Sequence, residues 1–328
     1  MQLWIGSIEQ GLLFGLMAIG VYLTFRVLNF PDLTVDGSFA LGGAVAAHFI
    51  ILGWDPWLAT FLAMLSGGAA GLITGILHTK AKINGLLAGI ITMIALWSIN
   101  LRIMGRANVS LNKAETIKTK LSVLESWGLS THTVYILVFL LLLLVVKFLV
   151  DWFLRTDLGM AIRATGDNPT MITSFGVHTD RTILVGLIVS NALVGLSGGL
   201  IAQYQGYADI QMGVGMIIIG LASVIIGEAV VGSTSMMRAT LAAAVGAILY
   251  RLIIAVALWR EMPPSDLKLL TAVIVVLALV IPQWIRRFRV LRLKNNMTSD
   301  ANLSVSSVKK HFASSDHHPS LKKGENDG

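Results

Sequence analysis

The residues that could do chemistry in this chain are few, and what they lack is informative. None of the 328 residues is cysteine, which excludes disulfides, thiolate metal sites and cysteine nucleophiles. No histidine pair with a carboxylate, and no Ser–His arrangement, falls inside the apolar segments, so an intramembrane enzyme has nothing to work with. Leu196-Ser197-Gly198-Gly199 spells the start of an ATPase signature. It continues into Leu200-Ile201 inside an apolar helix, so it cannot present a helix N-terminus to a phosphate. A Gly-x4-Gly-Lys-[Ser/Thr] loop occurs nowhere. This chain should not hydrolyse ATP. His311, His317 and His318 have no acidic or cysteine partner at ligand spacing and read as part of a solvated tail, so no metal site is expected.

What remains is a set of ionisable and polar groups within or beside long apolar runs, where such groups are costly and default to function. Asp32, Asp36 and Glu228 fall near one membrane face, and for the two aspartates helix capping and substrate contact are both open. Lys147 and Arg251 lie inside apolar spans, from which long side chains can snorkel. Asn191 is the polar group nearest mid-span and reads first as a helix–helix hydrogen bond. An ion-coupled secondary transporter is the alternative class to weigh. The scarcity of central Asp or Glu counts against it.

The elements that must carry these groups are set by composition. Hydrophobic residues make up 55% of the chain and charged ones 13%, about half the usual charge of a soluble domain. Scanning for the roughly 20 apolar residues that cross a bilayer gives nine segments. They lie near 8–25, 36–53, 57–77, 84–104, 132–153, 182–203, 211–229, 238–258 and 266–284; the second and seventh are glycine-rich and weakest, so eight spans is also open. The expectation is an all-α, polytopic membrane helical bundle over 1–290, followed by a disordered basic tail over 291–328. The net charge of +7 is concentrated there: from Arg286 onward nine basic residues stand against four acidic ones. Basic residues after the last apolar helix fix topology and meet anionic headgroups rather than nucleic acid, which places the C-terminus in the cytoplasm and the N-terminus outside. The uncharged start, Met1 to Glu9, does not read as a cleavable signal. Gly67, Gly71 and Gly75 recur at helical spacing, as close helix packing requires; Asn191, Gly195 and Gly199 do likewise, with packing and pore lining both open.

Between the fifth and sixth segments lies a loop, 157–181, too long for a simple connection. Asp167 or Asn168 can cap a short helix, Pro169 suits its first turn and Gly176 can end it. Met160, Ile162, Met171, Ile172 and Phe175 would form an apolar face that either rests on headgroups or docks into a cytosolic partner.

Gly159-x3-Arg163-Ala164-Thr165 with Phe175-Gly176-Val177-x-Thr179-Asp180-Arg181 resembles the cytoplasmic loop of the branched-chain-amino-acid/ribose-type permeases of ATP-binding-cassette importers. The similarity continues through Ser197-Gly198-Gly199, Tyr207-Ala-Asp-Ile210 and Gly220-Leu-Ala-Ser-Val-Ile-Ile-Gly-Glu-Ala-Val-Val-Gly232, and covers about 8–290. Asn29-Phe-Pro-Asp-Leu-Thr-Val-Asp-Gly-Ser38 looks closest to the tryptophan/tyrosine-type subgroup, while Glu228-Ala229 departs from the family's glycine pair. The resemblance implies the permease subunit of such an importer in the bacterial inner membrane, not itself an enzyme, moving a small amino-acid-like metabolite. It implies a homodimer with separate cytosolic ATPase subunits that hold ATP and Mg, and an external or periplasmic binding protein. The coupling element would be Arg163, Thr165, Gly166, Asp167, Asn168, Met171, Phe175 and Gly176. Candidate pathway residues are Asp32, Thr34, Asp36, Ser38, Asn191 and Gln203. Asp32-Leu-Thr-Val-Asp-Gly-Ser-Phe is echoed weakly by Asp209-Ile-Gln-Met-Gly-Val-Gly-Met, as an inverted internal repeat would require.

Overall fold

The computed structural model describes residues 2–122, 130–260, 266, 269–274, 276–277 and 280, all but Val280 within one compact unit, Met1–Ala278. Among the described residues, seven helices are long and apolar enough to cross a bilayer: α1 (Gln2–Tyr22, running on to Val27 through a π-helical turn), α2 (Thr34–Ile51), α3 (Pro56–Thr79), α4 (Gly85–Met104), α6 (Thr131–Phe153), α9 (Thr179–Gln205) and α11 (Met236–Trp259). Shorter pieces join them: β1 (Asn108–Ser110), α5 (Ile117–Ser122), α7 (Asp157–Asp167), α8 (Pro169–Ser174), β2 (Tyr207–Asp209) and α10 (Met216–Val231). The bundle is polytopic and helical, as the hydropathy required.

Its two ends are fixed by contacts. At one end β1 pairs antiparallel with β2, and buried Glu9 near the start of α1 accepts a hydrogen bond from Tyr204 (2.6 Å) and meets His132 (2.9 Å) at the start of α6. At the other end the α7–α8 hairpin packs against the last residues of α1, Lys82 meets Asp180, and Arg26 pairs with Glu228 of α10. We call these the ladder end and the hairpin end.

Local signals account for the boundaries. Asp55 caps α3 by accepting from the Trp57 amide (2.8 Å) ahead of Pro56, and Asn84 caps α4 through the Leu86 amide (3.0 Å). Packing between α3 and α9 depends on the small-residue rows. A Cβ added at Gly67 would lie 2.2 Å from the Asn191 carbonyl oxygen, and one at Gly71 2.3 Å from that of Leu187. Backbones this close gain dispersion contacts that larger side chains would forbid.

The seventh segment differs from a plain span. After Gly206, which takes a left-handed conformation, the chain pairs as β2 and runs through turns to Gly215 before α10 begins. Sixteen residues of α10 then reach the hairpin end. Glycines at 206, 213 and 215 spoil a continuous helix, and the freed amides find a partner inside the bundle, as membrane depth demands. About half of the ninth segment, 266–284, falls outside the described residues, and the tail over 291–328 entirely so.

Candidate functional site

Asp32 is fully buried where the chain turns from α1 into α2. Its Oδ1 accepts from the Thr34 amide (2.9 Å), and its Oδ2 accepts from Asn191 Nδ2 (2.7 Å) on α9. Asn191 also donates to the Leu187 carbonyl (3.0 Å) and accepts from Ser38 Oγ (2.7 Å). The Thr34 hydroxyl lies 2.7 Å from that of Thr74, which donates to Thr92 on α4 (2.9 Å). Four of the predicted pathway residues, Asp32, Thr34, Ser38 and Asn191, thus form one closed network joining α2, α3, α4 and α9. A satisfied buried network fixes a geometry.

Asp36, one turn further along α2, does something different. Its carboxylate accepts from the Gly215 and Ile217 amides (2.9 Å each), the free donors at the start of α10. Both aspartates therefore cap helices, and Asp36 does so across the bundle, where an anion meets the positive end of the helix dipole. Gln203 belongs to neither group: it donates to Thr60 (2.7 Å) and accepts from the Ile117 amide (3.2 Å) toward the ladder end.

The predicted coupling residues all fall on the α7–α8 hairpin, on two faces. Thr165 is buried, its hydroxyl 2.8 Å from that of Thr182, and a Cβ on Gly166 would meet the Val27 carbonyl at 2.0 Å; this face anchors the hairpin to α1 and α9. Arg163, Asp167, Asn168, Met171, Phe175 and Gly176 are exposed. Asn168 caps α8 through the Met171 amide (3.0 Å), and Gly176 ends it with φ +84°. Nothing in α8 is buried, and Phe175 is 74% exposed.

The two basic residues expected to snorkel do not do so. Lys147 is buried and pairs with Asp151 one turn on, whose other oxygen accepts from Thr240 of α11 (2.6 Å). Arg251 turns inward, its guanidinium 3.9 Å from the centre of the Phe14 ring. It borders a cavity of about 510 Å³ that opens toward the ladder end, with Tyr207, Asp209 and Gln211 on its rim and the shielded rings of Phe14 and Phe39 at its floor. None of the predicted pathway residues lines this cavity. Among the described residues, no group of three His, Asp or Glu side chains is placed to hold a metal.

Residues 4–281 match a family model described as "Branched-chain amino acid transport system / permease component". The chain is 39% identical to a tyrosine transport system permease protein of Clostridioides difficile over 83% of this chain and 88% of that protein. It is 30% identical to a "Probable branched-chain amino acid transport permease protein" of Methanocaldococcus jannaschii (61% and 65% covered). It is 23% identical to a ribose import permease protein of Escherichia coli (67% of each). No solved structure matches the chain.

Proposed function

This chain belongs to the branched-chain amino acid transport permease family, and from that premise we propose how it works within its importer. It is a multi-pass permease subunit of an ATP-binding-cassette importer, and ATP hydrolysis resides on a separate subunit. The cargo is an amino acid, in keeping with the 39% identity to a tyrosine transport system permease. The hairpin end faces the cytoplasm, the ladder end faces outside, and an external binding protein delivers substrate there. Two copies form the pathway. Each presents its α7–α8 hairpin to an ATPase, whose closure on ATP draws the hairpins together and shifts the pathway outward, a bistable element biased from another subunit.

One observation carries the coupling role. The hairpin is anchored on one face by Gly159, Ile162 and Thr165 and leaves Met171 and Phe175 uncovered on the other. An apolar face held rigidly at a bundle end suits insertion into a partner's cleft.

The test is recruitment. Burying an unpaired charge in that contact costs several kcal/mol, roughly a hundredfold or more in affinity. Met171→Asp is therefore expected to insert and assemble normally while losing both ATPase capture in a pull-down and uptake. Wild-type capture by this variant would assign the hairpin to the membrane surface instead.

A further inference from the structure

Arg251 is the one buried-facing cation in the described bundle that no protein anion answers. Its Nε is shielded from solvent without a hydrogen-bond partner, and its guanidinium forms no ion pair among the described residues. Lys147 shows what an answered cation looks like here, with Asp151 one helical turn away. At Arg251 the positions one turn away are Ala247, Ile248, Ile254 and Ala255, none of them ionisable, and the charge sits over the Phe14 ring. A cation over an aromatic face retains full capacity to bind an anion through its planar donor fork.

The cavity beside it has a second charged wall. Asp209 Oδ1 accepts from the Gln211 amide (2.7 Å) and Oδ2 from Asn108 (3.0 Å), which leaves lone pairs on both oxygens. The same cavity is lined by Phe14 and Phe39, stacked with centroids 5.8 Å apart, and by the adaptable Met212 and Met216. We propose that this cavity is a permease-borne subsite for the zwitterion of an α-amino acid with an aromatic or large apolar side chain: Arg251 receives the carboxylate and Asp209 the ammonium group.

The charges discriminate among ligand classes. A phosphate would meet the repulsion of Asp209, and a neutral sugar would leave Arg251 unanswered. A zwitterion satisfies both, and its side chain covers the two rings. A volume of about 510 Å³ holds one such molecule with water.

This inference rests on the permease reading, so the test has two arms. In the first, the full-length chain in nanodiscs is challenged with L-tyrosine, L-tryptophan, L-leucine, tyramine, 4-hydroxyphenylpropionate and D-ribose, and binding is followed as a shift in thermal midpoint. At least one of the amino acids is expected to stabilise the wild type, more than tyramine or 4-hydroxyphenylpropionate, each of which lacks one charge. Arg251→Gln should weaken that response about 10- to 100-fold, as for loss of a charged hydrogen-bond pair. Asp209→Asn should weaken it less, and Arg251→Lys should keep part of it. The unliganded midpoint of Arg251→Gln should equal or exceed that of the wild type, because an unanswered charge is removed. A lowered midpoint would mark a structural cation and overturn the proposal. So would an undiminished amino-acid response in Arg251→Gln, a response to ribose alone, or no response to any amino acid. A phospholipid retained by the wild type and lost from Arg251→Gln, without an amino-acid response, would assign the cation to a headgroup and also overturn it. In the second arm, uptake is measured with the ATPase and binding protein present. Binding without uptake counts against the importer reading and spares the subsite; uptake that ignores Arg251→Gln does the reverse.

Discussion

The chain turns twice at an aspartate, once inside the bundle and once at the ladder end, and the two turns share one local device. Asp32 accepts from the amide two residues on, at Thr34, and Asp209 does the same at Gln211. Each follows a long helix, α1 or α9, and precedes the next helix of the bundle. Beyond that they diverge. Around Asp32 the polar atoms are paired, from Asn191 to Thr92, and the carboxylate is fully buried. Around Asp209 the backbone is extended, and the residue shares the lining of a cavity of about 510 Å³ with the unanswered Arg251. The same turn locks one half of the bundle and leaves the other receptive.

That contrast can be broken by experiment. Asp32→Ala orphans the Thr34 amide and the Asn191 amide group in a dry site, and should cost about 3 kcal/mol in reversible unfolding from mixed micelles. Asp36→Ala removes the anion at the start of α10 and should cost about 1–2 kcal/mol, with protease sensitivity rising at Gly213–Gly215. Asp209→Ala should cost about 1 kcal/mol or less, since its partners reach water. If the Asp209 and Asp32 variants lose equal stability, the division into a locking turn and a receptive turn is wrong. The smallest effect concerns Asp55, exposed at the ladder end. The hydrogen bond from Lys120, then that from the Trp57 amide, holds its carboxyl below the usual range. A depressed value means the contribution is present above the ordinary carboxylate pKa and disappears as pH falls through the folded one. The thermal midpoint of the wild type should therefore drop slightly more on acidification below about pH 4 than that of Asp55→Asn, and the difference should shrink in high salt.

Much of the architecture was legible because it is written locally. Apolar run lengths gave the seven long helices, Asn168-Pro169 and Gly176 gave the bounds of α8, and the glycine spacing gave the α3 seam. Capping was one of two open readings for Asp32 and Asp36, and both cap. The cavity was not legible. Phe14 and Arg251 sit on helices at opposite ends of the described chain, and no periodicity relates them. One signal did exist: Lys147 has Asp151 at i+4, whereas Arg251 has only Ala247, Ile248, Ile254 and Ala255 at those spacings. An intramembrane cation without a partner on its own helix has to be answered from elsewhere. The extended stretch before α10 was hidden for a related reason, since the acceptor that replaces its lost helical bonds is Asp36, from another helix.

The α3–α9 seam also has a consequence for how the chain is made. Gly67 and Gly71 present bare backbone that only α9 can cover, and α9 emerges from the ribosome after α4 and α6 have already been threaded into the bilayer. Until then the first half of the bundle has an open flank, and the ladder between β1 and β2 has only one strand. Because α9 follows α1 to α6 in the chain, the seam, the seat of Asn191 on Asp32 and the Tyr204–Glu9 contact all wait for its synthesis. A chain arrested before α9 is an orphan with an unmatched face, the kind of surface on which membrane quality control acts.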